Sequence, residues 1–308
     1  MDHVFGNAPT GVLDAPHVLL PAADVFRHRA LRLRELVTQV PELDEFLAFM
    51  ARLVHTQDQI LSTAEPGWHP QAGAFDKALE HGLPALGYQT LRRVVNWQTD
   101  LHAILAALEL HVGQAQRPLL DALRAATPRQ LETLADDVLE GQPGDAAARG
   151  LMPLVAAALQ VAWVHLALTL ARPPDRPARE AQGLCPTCGS APVASLIHNE
   201  QPRSGVRYLY CGLCATQWHL ERARCSLCDH GGELTYLGLD NDLGKPYLPV
   251  QAEACGHCHH YLKLMQRQLH GRAEPIADDL ASLALDMMLA QQGLYQRSGY
   301  NPLLIAGE

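Results

Sequence analysis

The sequence predicts an α+β protein: an N-terminal α-helical bundle, then two tandem metal-binding β modules of rubredoxin-like, zinc-ribbon type, then a C-terminal helix. Three observations carry that expectation. Apolar residues recur at helical spacing through the first 170 residues. A proline-rich stretch, "ARPPDRPAREAQG" (171–183), interrupts the chain. Beyond it lie all eight cysteines, every one in a C-x-x-C pair.

Composition sets the frame. A chain of 308 residues accommodates about two domains. Its 48% apolar and 19% charged residues describe a globular chain rather than a disordered one. The opening "MDHVFGNAPTG" has neither a basic n-region nor an apolar run behind it, so it does not read as a secretory signal. In the reducing cytosol, paired cysteines mean metal or redox chemistry rather than structural disulfides. The expected location is therefore cytoplasmic.

The helical half opens with Phe26, Ala30, Leu33 and Val37 at spacings of four, three and four, while Arg27, Arg29, Arg32 and Arg34 fall largely off that stripe. After Pro41, suited to a first helical position, Leu43, Phe46, Leu47, Met50, Leu53 and Val54 form one face. Leu91, Val94, Val95, Leu101, Ile104, Leu105 and Leu108 predict a further long helix. "TPRQLETLADDVLEG" carries its own punctuation: Thr127 and Gln130 make a capping box, Pro128 fits the first turn and Gly141 ends the helix. His28, His55, His102 and His165 are isolated and read as packed or solvated side chains.

"LMPLVAAALQVAWVHLALTLA" (151–171) runs 21 residues without a formal charge, the length of a membrane span. Pro153, Gln160, His165 and the abundance of Ala favour instead a central helix surrounded by others. The prolines that follow cannot continue a helix and suit a semi-rigid linker.

The cysteine pairs are "CPTC" (185–188), "CGLC" (211–214), "CSLC" (225–228) and "CGHC" (255–258). Thiolates at i and i+3 on a tight turn bind one ion from the same side, and two such turns complete a tetrahedral S₄ site. Gly189, Gly212 and Gly256 supply backbone freedom to these knuckles. Redox or disulfide use of the pairs is the competing reading.

Pairing follows from an internal repeat. Knuckle, strand ("PVASLIH"), turn ("NEQPRSG"), strand ("VRYLY"), knuckle and strand ("TQWHLER") recur as knuckle, "ELTYLGL", "DNDLG", "YLPVQAEA", knuckle and "YLKLM". The offset is 40 residues at the first knuckle and 44 at the second. Cys185, Cys188, Cys211 and Cys214 thus belong to one site, and Cys225, Cys228, Cys255 and Cys258 to another. The rival pairing joins the middle two knuckles across ten residues. Trp218 sits on the strand linking the two copies. Modules this small have little core, so the ion is expected to be needed for their folding.

S₄ ligation accepts zinc or iron and leaves no open position for hydrolysis. His219, His230, His257, His259 and His260 crowd the knuckles as substitute ligands or outer partners. No nucleophile elbow, phosphate loop or carboxylate pair stands out, so no catalytic residue is assigned. Residues 181–275 hold eight Lys or Arg and eight Asp or Glu. Such a neutral ribbon, in a chain of net charge −9, argues against nucleic acid.

At these residues the chain resembles the formate dehydrogenase accessory (formation) protein family FdhE. The likeness rests on the four-knuckle order, on "RYLYCGLCATQWHLERARCSLC" and on the ending "ADDLASLALDMMLAQQGLYQRSGYNPLL" (277–304). It is weaker at "DVFRHRALRLREL" and "DEFLAFMARL". The resemblance implies a non-catalytic cytoplasmic factor with rubredoxin-like sites that bind iron and with the catalytic subunit of formate dehydrogenase as partner. It assigns metal ligation to the eight cysteines and nothing to other residues.

The expected organisation is a helical domain (1–171), a linker (172–183), a first four-cysteine module (184–224), a second (225–272) and a C-terminal helical segment (273–308). In that last segment Leu280, Leu283, Ala284, Met287 and Met288 predict one packed helix face, with Asp278 or Asp279 near the helix start. Three functions are compatible with the metal sites: an assembly factor, electron transfer or thiol redox at S₄ iron, and, least supported, a nucleic-acid ribbon.

Overall fold

A computed structural model describes residues 15–65, 68–114, 116–142, 146–240, 244 and 246–304. The opening "MDHVFGNAPTG" and most of the "DNDLG" turn lie outside the described residues.

The helical half is built as its periodicity requires. After a two-residue strand, β1 (Val18–Leu19), come α1 (Val25–Gln39) and α2 (Asp44–Thr63), packed against each other. A single 3₁₀ turn with Pro41 at its first position joins them. α3 (Asp76–Glu80) and α4 (Tyr88–Leu91) are short, and α5 (Gln98–Leu108), α6 (Arg117–Ala125) and α7 (Pro128–Glu140) follow. The long helix expected over 91–108 is broken: residues 92–97 lie between α4 and α5, and there Arg92 and Arg93 pair with Glu132, Asp136 and Glu140 of α7. Val94, counted in that stripe, is half exposed. The boundaries of α7 agree with its punctuation: Thr127 and Gln130 close a reciprocal capping box, and Gly141 ends the helix at φ 67°.

After α8 (Ala146–Arg149) comes α9 (Met152–Leu168), buried along all of its length but Leu168. It packs against α2, α5 and α7. A helix that is apolar all round has no face to give to water, so it occupies the middle of the bundle. No helix among the described residues is long and apolar enough to cross a membrane.

The second half supplies β2 (Pro192–Ile197), β3 (Arg207–Cys211), β4 (Gln217–His219), β5 (Leu234–Leu237), β6 (Val250–Cys255) and β7 (His260–Gln266). Each copy of the repeat forms an antiparallel three-stranded unit, β2-β3-β4 and β5-β6-β7. The two units are fused. β2 pairs in parallel with β7, Leu196 opposite Met265, giving one sheet of order β1-β4-β3-β2-β7-β6-β5. β1, from a region that carried no strand signal, covers the outer edge of β4. A short β8 (Gln296–Arg297) pairs with the start of β7.

The expected single C-terminal helix is two helices, α10 (Pro275–Ala281) and α11 (Leu283–Gln292), broken at Ser282. Ser282 Oγ bonds back to the Asp278 carbonyl, and its own oxygens are held by Lys263 Nζ. The break rotates the predicted face. Leu285 and Leu289 are buried, whereas Met287 is 63% exposed. The acids expected to act on a helix dipole do something else. Glu274 is the N-cap, accepting from Ala277 N–H, while Asp278 and Asp279 are fully buried ion-pair partners.

Those pairs tie the halves together. Arg29 and Arg32, expected off the apolar stripe of α1, are each 1% exposed. Arg29 bonds Glu274 at 2.9 Å and the Tyr210 hydroxyl at 3.0 Å. Arg32 grips Asp278 with contacts of 2.6 to 3.2 Å. Lys263 on β7 and Arg297 on β8 hold Asp279 and Asp286. Charges this deep persist only when each has a partner.

Candidate metal centres

Each C-x-x-C pair sits on a reverse turn whose backbone closes on itself. The residue after the second cysteine adopts the left-handed conformation in all four knuckles: Gly189 at φ 80°, Ala215 at 57°, Asp229 at 57° and His259 at 56°. Its N–H bonds the carbonyl of the first cysteine in three of them, at 2.9 Å from Gly189, 3.1 Å from Asp229 and 3.0 Å from His259. Only Gly189 therefore provides the conformational freedom assigned to three glycines. Gly212 and Gly256 are instead places of close approach. A Cβ at Gly212 would lie 3.2 Å from Pro302 Cδ, and one at Gly256 would lie 3.4 Å from Glu233 Oε2. The turns also aim N–H groups at sulfur: Leu213 and Cys214 donate to Cys211 Sγ, and Leu227 donates to Cys225 Sγ, each at 3.4 Å.

The fold then brings the knuckles together in the order the repeat implies. Cys185, Cys188, Cys211 and Cys214 form one group and Cys225, Cys228, Cys255 and Cys258 a second, with all ligand atoms of a group within 4.8 Å of one another. Sulfur separations are 3.6 Å (Cys185–Cys214), 3.4 Å (Cys188–Cys211), 3.7 Å (Cys225–Cys258) and 3.8 Å (Cys228–Cys255). Tetrahedral thiolates about 2.3 Å from an ion lie about 3.8 Å apart, so the groups have the size of an S₄ site. A disulfide would need about 2.0 Å, and all eight cysteines are free. Each group can hold one metal ion.

Without an ion, the buried sulfurs of the first group do not ionise alike. Burial raises the Cys185 and Cys214 thiols well above their ordinary value. At Cys188 burial acts the same way, but hydrogen bonds from Cys185, Cys211, Cys214 and Ser190 outweigh it and hold the thiol well below. Four buried thiolates need a cation to offset their charge, which is what an ion at their centre supplies.

The histidines near the knuckles belong to neither group. His230 and His257 stack on each other, ring centroids 4.3 Å apart. His260 Nδ1 lies 2.7 Å from the Cys258 carbonyl oxygen. Sequence reasoning missed the hydroxyls of the first site. Cys188 Sγ meets Ser190 Oγ at 3.4 Å, Cys214 Sγ meets Thr216 Oγ1 at 3.2 Å, and Thr216 bonds Thr187. The signal was present in the repeat: two places after the second cysteine the first copy has Ser190 and Thr216, the second His230 and His260.

The first site also touches the helical half. Leu86 N–H donates to the Thr187 carbonyl at 2.8 Å and Tyr88 N–H to the Cys188 carbonyl at 3.1 Å. Gln160, inside α9, donates to the Gly212 carbonyl at 2.7 Å and accepts from Gln57. Trp218 on β4 is fully buried and donates to the Gln182 carbonyl at 2.7 Å.

Known proteins match this chain in one way from residue 15 to residue 304. Family models described as FdhE, N-terminal, FdhE, central domain, and FdhE, C-terminal domain match residues 15–180, 184–222 and 223–304. An FdhE homolog of Pseudomonas aeruginosa is 38% identical over 295 residues, covering 95% of this chain and 94% of its own. One from Cronobacter sakazakii is 34% identical over 294 residues, covering 95% and 92%. The crystal structure of the FdhE protein from Pseudomonas aeruginosa superposes with a TM-score of 0.84 at 37% identity, over 96% of this chain and all of that one. With four knuckles gathered into two thiol clusters and relatives matching 95% of its length, the chain belongs to the FdhE family.

Proposed function

We propose that this chain is a cytoplasmic, non-catalytic accessory protein that binds the catalytic subunit of formate dehydrogenase and is needed for that enzyme's activity. Cys185, Cys188, Cys211 and Cys214 would hold one ion, and Cys225, Cys228, Cys255 and Cys258 the other. Iron is the first expectation from the resemblance, and zinc fits the same ligands. The observation that carries this reading is the pair of S₄ clusters in an FdhE chain. Four protein thiolates fill a tetrahedral ion and leave no position for substrate or activated water. The ions would hold the 184–224 and 225–272 modules in shape, and the protein would act through its surface.

A second reading is electron transfer or thiol redox at an S₄ iron. It is favoured by the exposure of Cys228, which brings the second cluster to solvent.

One preparation tests both. The protein is purified without oxygen, its metal measured, and its visible spectrum recorded. A colourless zinc protein ends the electron-transfer reading. The metal-loaded protein is then used to capture a formate dehydrogenase catalytic subunit. Capture that is lost with Cys211→Ser or Cys225→Ser is the expected result. No capture by folded, loaded protein would remove the accessory reading.

A further inference from the structure

The two thiol clusters, alike in ligands and knuckle geometry, differ in what surrounds them. In the first, Cys185 is 1% exposed and Cys188, Cys211 and Cys214 are 0% exposed. Both of its knuckles are bonded by the helical half, through Leu86, Tyr88 and Gln160. Pro302 of the C-terminal tail closes over Gly212. A cavity walled by Pro84 and the linker prolines reaches Cys185, yet leaves that residue buried.

The second cluster is built on one buried edge and one open edge. Cys225 and Cys255 are buried, Cys258 is half-buried and Cys228 is exposed. A cleft of about 450 Å³, between the linker at Arg179–Leu184 and the third knuckle, has Cys225 and Cys228 in its wall. Its rim pairs are at the surface: Arg179 with Asp229 at 2.8 Å and Arg224 with Asp229 at 2.7 Å, side chains 30–63% exposed. The hydroxyls that meet sulfur in the first cluster, Thr216 buried and Ser190 half-buried, are replaced here by His230 and His260. Surface pairs of this kind give way easily.

We propose that the second cluster is an exchange site, at which a small thiol or chelator entering the cleft reaches the ion beside the exposed Cys228, and that the first is a closed structural site. Ligand exchange at a metal thiolate needs an incoming donor to approach the ion, and only the second cluster lets one approach without unfolding. Loss of an ion from the first requires the helical half to separate from the knuckles. Opening on that scale costs far more than a surface fluctuation. The inference rests on the reading of both clusters as metal sites.

The test uses the full chain loaded anaerobically with Co(II), whose thiolate charge-transfer absorption reports each filled S₄ site. Binding of fewer than two equivalents overturns the metal reading and this inference with it. With two bound, excess EDTA is added and the absorption followed. The expected decay has two phases of equal amplitude, the faster by about tenfold or more. A variant carrying Cys228→Ser and Cys258→Ser retains the slow phase alone. Independently of how that variant folds, brief iodoacetamide treatment of the loaded native protein, read by mass spectrometry, labels Cys228 and Cys258 ahead of the other six. Release in a single phase, or equal labelling of Cys188 and Cys228, overturns the inference while leaving the metal reading intact.

Discussion

Arg32 shows how a single residue can be misread from its spacing. Off the apolar stripe of α1, it should lie in water; instead it is sealed against Asp278, with side chains 1% and 0% exposed. Removing one partner of such a pair leaves an uncompensated charge, so Arg32→Ala is expected to cost about 3–5 kcal/mol in urea unfolding. Replacing both Arg32 and Asp278 with apolar residues of similar volume should restore most of the loss. Asp279 gives a pH signature. Burial raises its carboxyl, but Arg297 and Lys263 overcome that and hold it down at about 2, against 3.8 ordinarily. A depressed carboxyl stabilises the fold above its unfolded value and loses that contribution as the pH falls through the folded one. The contribution is about 2 kcal/mol at neutral pH. Asp279→Asn should therefore start less stable at pH 7 and lose less between about pH 4 and 2, as acid-unfolding curves at equal metal content would show. Neither acid was legible as a core residue, because a carboxylate is buried only when distant cations reach it, and those come from α1, β7 and β8. The grouping of the eight cysteines was legible, since C-x-x-C spacing and the repeat are written along the chain.

Among the elements, those set by local chemistry appeared where the sequence put them. α7 has its cap, its proline and its terminal glycine, and α9 has its unbroken apolar surface. The six ribbon strands match the strand-like runs that separate or follow the knuckles. Elements decided by distant partners did not. The stretch from Leu91 to Leu108 keeps a helical period, yet the helix is interrupted between α4 and α5, where Arg92 and Arg93 meet α7. β1 is two residues long and exists because β4 has an edge to fill. Gly299 is a tighter constraint than any glycine of the knuckles. A Cβ there would fall 2.6 Å from the Val193 carbonyl oxygen and 2.6 Å from Leu262 Cδ1. Gly299→Ala must displace β2 or the tail, at an expected cost of about 1–3 kcal/mol. The same change at Gly205, where nothing lies within 4 Å but φ is +75°, tests strain alone. Thermal unfolding of the two variants separates crowding from backbone conformation.

For the whole molecule, the parallel pairing of β2 with β7 matters more than either module alone. Adjacent copies of the repeat share one sheet, so neither unit keeps both of its edges. The first thiol cluster then lies where that sheet meets the bundle, bonded to residues 86, 88 and 160. Stripping the ions should loosen more than the ribbons: hydrogen exchange should quicken at Leu86, Tyr88 and the middle of α9, although none of these is a ligand. The Cys228→Ser variant should leave exchange in α9 close to native, whereas Cys185→Ser should not. Equal protection of α9 with and without metal would show that the bundle does not depend on the first site.

By itself the sequence determined the class of the protein, which cysteines gather in each cluster and the pairing of the knuckles. All three depend on spacings of a few residues or on an internal repeat, which can be read along one dimension. Only the tertiary structure decided that the two modules share a sheet, that α1 docks through buried arginines, and that one cluster is sealed while its twin faces water. Those features depend on which distant surfaces meet. Two knuckles of the same pattern receive different surroundings once the bundle covers one of them.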